Sequence, residues 1–150
     1  MRLRQEPRPD DLAAIRTWFR DLSTCVQAID YEAAFRLFAE DMIAFGTFSD
    51  FVMELDAAVR EQWSNVWPTI RNFRFRLDGV HGIVAADRLT GVGMGVWDSD
   101  GFLADGTRFD RRGRTTVVLG RETIGAPWVA THTHMSLFRG TPDRSHGKFD

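Results

Sequence analysis

The feature that most constrains this chain is a change of period near Pro68. Before it, apolar residues recur every three or four positions; after it, they alternate. Leu12, Ile15, Phe19, Leu22 and Val26 trace one face of a first helix. Pro9, Asp10 and Asp11 read as its start, with the acidic pair set against the positive end of the helix dipole. Asp30 is placed to cap a short second helix whose apolar positions are Ala33, Ala34, Leu37 and Phe38. Residues 42–47 then read as a strand and 48–50 as a turn. Asp56 is placed to cap a third helix carrying Val59, Trp63 and Val66, which Pro68 stops. Past that point Phe73, Phe75 and Leu77 alternate with Arg74, Arg76 and Asp78, and further strands are expected over residues 89–97, 109–121 and 127–138. Asp98, Ser99, Asp100 and Gly101 read as a loop between strands. Helices followed by long strands give an α+β fold, in which three N-terminal helices pack on one face of a curved antiparallel sheet. A single domain over residues 1–139 is expected, with 140–150 as a loose polar tail.

Composition narrows what such a domain can do. Of 150 residues, 43% are hydrophobic and 27% charged, an ordinary globular balance with no sign of disorder. The net charge of -2 offers no general attraction to nucleic acid or to an anionic membrane. Cys25 is the single cysteine, so no intramolecular disulfide can form and cysteine-rich zinc sites are excluded. The first residues lack the apolar core of a signal peptide, no apolar run approaches spanning length, and the cytoplasm is the default expectation.

Several local patterns invite chemistry. The string HTHMS places His132, His134 and Ser136 on one face of the last strand, because residues two apart in a strand point the same way. An H-x-H pair supplies two ligands of a metal site, but no spacing nominates a third, so no metal and no cofactor is expected. A serine parallel to its histidines lacks the geometry of an activated nucleophile. In GVGMGVW, Gly91, Gly93 and Gly95 keep the period of a strand, and no helix follows as a phosphate loop requires. Glycines so placed let a helix or a ligand approach closely. Arg108, Arg111, Arg112 and Arg114 form a basic run that reads as a solvated strand face. Phe73 and Phe75 lie opposite Arg74 and Arg76, which is not the interleaving of an RNA-binding sheet.

The strings AIDYEAAFRLFAEDMIAFGT (28–47), DAAVREQW (56–63), RGRTTVVLGRE (112–122) and PWVATHTHMS (127–136) stand in an order that resembles the SnoaL-like branch of the nuclear transport factor 2-like superfamily. The resemblance covers roughly residues 10–138. It implies a cone in which a curved sheet wraps the long first helix, a ligand pocket inside the cone, and frequent assembly into homodimers. It does not imply one activity, because the fold carries isomerases, cyclases, dehydratases, epoxide hydrolases and non-catalytic domains such as the calmodulin-dependent kinase association domain. Carried over by position, the carboxylate base of the ketosteroid isomerases falls on Gly46 and their tyrosine on Leu22, so that chemistry is not expected. For cyclase-type chemistry the nearest carboxylate is Asp41.

The expected polar lining of the pocket is therefore His132, His134, Ser136 and Arg114, with Tyr31, Phe45, Trp63 and Trp97 as walls. The same four polar residues on the outer side of the sheet would instead belong to a subunit interface. Two functions follow. One is a domain that binds a small hydrophobic or polar-aromatic ligand and works as a homodimer, without nucleic acid or membrane partners. The other is a cofactor-independent isomerase, cyclase or dehydratase with His132 or His134 as general acid or base, Arg114 stabilising an enolate, and Asp41 in reserve.

Overall fold

A computed structural model describes residues 1–147. The first helix, α1 (Pro9–Ala28), buries Ile15, Phe19, Leu22 and Val26, as their spacing predicts. Asp30 caps α2 (Tyr31–Phe35) by accepting a hydrogen bond from the Ala33 amide at 2.9 Å. That helix is shorter than its apolar pattern suggests. Phe38 already belongs to β1 (Phe38–Phe45), where it lies opposite Ala130 of the last strand. A long-range strand pairing has overridden a local helical preference.

After β2 (Val52–Met53) comes a helical segment of mixed winding. It opens as α3 (Leu55–Ala58), widens into a π turn at Val59–Trp63, and closes through Ser64–Val66 and a 3-10 turn at Trp67–Thr69. Asp56 sits in its first turn; the cap position is Glu54, whose φ of 71° is unusual for a residue with a side chain.

The remaining strands are β3 (Arg71–Phe75), β4 (His81–Val84), β5 (Thr90–Phe102), β6 (Arg108–Asp110), β7 (Gly113–Gly120) and β8 (Val129–Leu137). They form one sheet in the order β2-β1-β8-β7-β5-β3, with β4 and β6 also paired to β5. The expected α+β cone is observed, and the expected antiparallel pairing holds everywhere except between β1 and β8, which run parallel. Helix α1 lies along the inner face. The Phe19 ring rests over Gly93 and Gly95, and a Cβ built on Gly93 would stand 2.7 Å from Phe19 Cε2. Glycine is needed there for close approach of the helix.

Two local expectations are corrected. Residues 98–101 are not a loop: β5 runs straight through them, and their outward carboxylates find basic partners. Asp98 pairs with Arg76 at 2.8 Å and Asp100 with Arg108, and Asp100 also accepts a hydrogen bond from the neutral Asn72 amide. Nor is the described part of the expected tail, residues 141–147, free of the body of the fold. Ser145 is buried, donates to Thr69 O at 2.6 Å and accepts from the Phe102 amide at 3.0 Å. Residues 148–150 of that expected tail lie outside the described residues. Among the described residues no helix is long and apolar enough to cross a membrane.

Candidate functional site

The inner face of the sheet, α1 and the third helical segment enclose a cavity of about 50 Å³, several times the space one water needs. Its walls are aromatic. Trp63 and Trp67 stack at 4.8 Å, Phe38 tilts against Trp63 at 5.0 Å, and Phe73 faces Trp97 at 5.8 Å. The π turn explains how two neighbours, Gln62 and Trp63, both become buried: the extra residue per turn widens the inward face.

The polar lining is a short chain of side chains. Arg111 donates from Nη2 to Thr47 Oγ1 at 3.0 Å, and Gln62 Nε2 donates to the same hydroxyl at 3.2 Å. Gln62 Oε1 accepts from the amides of Phe48 and Ser49 and from Ser49 Oγ, so the glutamine pins the loop after β1 to the helical segment. Gly46, also on the cavity, leaves the room this amide occupies; any Cβ there would collide with the Gln62 side chain.

Arg111 is the unusual member. It is 3% exposed, no carboxylate pairs with it among the described residues, and its Nε has no hydrogen-bond partner. Burial pulls its pKa down to about 10, which still leaves the guanidinium charged at neutral pH. A buried cation without a counter-charge is costly and seldom retained for stability. Trp97, on the same cavity, likewise leaves its Nε1 without a partner. Arg111 is therefore not on the solvated face expected of the basic run. Counting back in twos from Leu119 and Val117 passes through Thr115 and Gly113 to Arg111, and all five are buried. Strand parity thus held the signal.

The same parity moves the expected polar set out of the cavity. Arg114 is on the opposite face of β7 from Arg111, where its Nε donates to Ser136 Oγ at 3.3 Å and its guanidinium lies 5.6 Å from the Phe138 ring. On β8 the inner positions are Ala130, Thr133 and Met135, and a register shift between Val118 and Leu119 makes Thr131 an extra residue. That bulge resets the alternation and leaves His132 and His134 on the outer face. Both rings meet Phe45 edge-on at 5.2 Å. His132 Nδ1 is 2.8 Å from Ile43 O, and since a carbonyl only accepts, the proton sits on Nδ1.

Of the expected walls, Trp63 and Trp97 line the cavity; Phe45 borders it, but its ring is partly exposed and packs on the two histidines of the outer face. Tyr31 stands behind it, packed on Trp67 at 5.2 Å, with its hydroxyl pKa raised by burial. Asp41 is exposed on β1, in a surface groove with Glu40, Glu54 and Asp56, and does not reach the cavity. Gly46 and Leu22, the positions matched to the isomerase base and tyrosine, do line it and bring no ionisable group.

The family model for the SnoaL-like domain matches residues 15–139. No curated protein matches the chain. Among solved structures, a ketosteroid isomerase-like protein from Erwinia carotovora atroseptica superposes with a TM-score of 0.71 at 14% identity, covering 87% of this chain and 98% of that one. A nuclear transport factor 2-like superfamily protein from Salmonella enterica gives 0.69 at 14% identity, covering 89% and 94%. The association domain of CaMKII from C. elegans gives 0.59 at 13%, covering 85% and 92%. At these identities the likeness is one of fold.

Proposed function

The chain belongs to the SnoaL-like domain family, and from that premise we propose that it binds a small, partly aromatic molecule inside the cone and works as a homodimer. The observation that carries this reading is the aromatic cavity itself, walled by Trp63, Trp67, Trp97 and Phe73 and closed by the Gln62–Thr47–Arg111 chain. Tryptophan walls offer flat apolar area, and a few fixed polar groups orient what enters. The enzymatic alternative drew its acid or base from His132, His134 or Asp41, and these side chains stand outside the cavity.

The outer face supports assembly. Across the strands, Ile43, His132, Val118, Val92 and Ile83 fall in one row, and Phe45, His134, Thr116, Met94 and His81 in the next. A mostly apolar row, flanked by groups that can donate and accept, suits a self-complementary contact with a second copy. The CaMKII association domain shares the fold and assembles, by its name.

Native mass spectrometry of gently purified protein tests both parts. A dimer is expected, releasing a stoichiometric small organic molecule on denaturation, and Val118→Glu is expected to give monomers. A monomeric wild type would contradict the dimer. A protein that neither carries nor takes up any small aromatic compound would contradict the binding reading.

A further inference from the structure

Two buried donors on one cavity lack acceptors. Among the described residues Arg111 Nε makes no hydrogen bond, and the one side-chain partner of the guanidinium is the neutral Thr47 hydroxyl. Trp97 Nε1 is equally unpaired. Buried N–H groups in folded proteins are overwhelmingly satisfied, so orphans beside a cavity mark where a bound molecule supplies the acceptor. The acceptor that also answers the charge is an oxyanion. A carboxylate is acceptor-only and planar, and it matches a guanidinium edge with two parallel hydrogen bonds. Gln62 and Thr47 do not compete for that role, since the Gln62 carbonyl is already occupied by the loop and the Thr47 hydroxyl carries no charge.

Resting on the binding reading above, we propose that the cavity is a seat for a small organic carboxylate, its charged end on Arg111 and its apolar body between the tryptophans. A cavity of about 50 Å³ favours a short chain, or at most a single small ring, over a polycyclic ligand. The seat also accounts for keeping an unpaired arginine in the core, because its burial cost is repaid only in the complex.

The test titrates the full chain with benzoate, with its neutral analogue benzamide and with toluene, following fluorescence of the tryptophans that line the cavity. Benzoate is expected to bind at least about tenfold tighter than benzamide, the range of a charge-assisted hydrogen bond. Arg111→Met is expected to erase that preference and Arg111→Lys to keep part of it, with circular dichroism reporting that each variant is folded. Equal binding of benzoate and benzamide by the wild type, or a benzoate preference that survives in Arg111→Met, overturns the carboxylate seat and leaves the apolar pocket standing. Failure of all three probes to bind overturns the seat and the pocket together.

Discussion

Two arginines are almost fully buried at opposite ends of the cone, and they are held in opposite ways. Arg121, with a side chain 2% exposed, donates to Asp11 Oδ1 at 2.6 Å and to Arg88 O at 2.8 Å, and lies 4.0 Å from the Trp128 ring. Asp11 is itself clamped by Arg88 at 2.7 and 3.0 Å, so the start of α1 is tied to the turn before β5 and to the residue after β7. At the other end Arg111 has, among the described residues, one hydroxyl partner and an idle Nε. The first arrangement is closed: every charge has its counter-charge, as buried ions require. The second is open, and its missing partner is what distinguishes a binding site from a structural clamp. Residue type alone says nothing about the difference.

The closed end should break hardest. Asp11→Ala leaves Arg121 buried without its carboxylate and is expected to cost about 3–5 kcal/mol in urea denaturation. Acid should reach the same contact. The Arg88 and Arg121 hydrogen bonds hold the Asp11 carboxyl below its ordinary 3.8, with burial working against them. A folded-state pKa below the unfolded one contributes stability in full above pH 3.8 and loses it as pH falls through the lower folded value. Asp11→Asn should therefore flatten the acid limb of the stability profile; an unchanged limb would place the linkage elsewhere. At the open end the effects are smaller. Thr47→Val removes the hydroxyl shared by Arg111 and Gln62 and is expected to cost about 1 kcal/mol. It should also loosen the Phe48–Ser49 amides in hydrogen exchange, whereas the amides of α1 stay protected.

The sequence exposed the scaffold more readily than the site. The helical face of α1, the Asp30 cap and the alternating strands are local signals, each repeated over several residues. The choice of inner against outer face is not local. On β7 the parity set by Val117 and Leu119 selects Arg111 over Arg114. On β8 the bulge at Thr131 breaks the count, and nothing in PWVATHTHMS announces it. Gln62 was hidden for the same reason, since a π turn leaves no mark in a helical pattern. One irregular residue in a regular element is enough to exchange a pocket for a surface.

The most direct measurement compares Arg121→Met with Arg111→Met in equilibrium urea denaturation without ligand at neutral pH. The closed and open arrangements predict opposite signs: a loss of several kcal/mol for Arg121→Met, and no loss or a gain of about 1 kcal/mol for Arg111→Met, which replaces an unpaired buried cation by an apolar chain. Comparable losses in both would mean that Arg111 is as much a structural residue as Arg121, and would contradict the account.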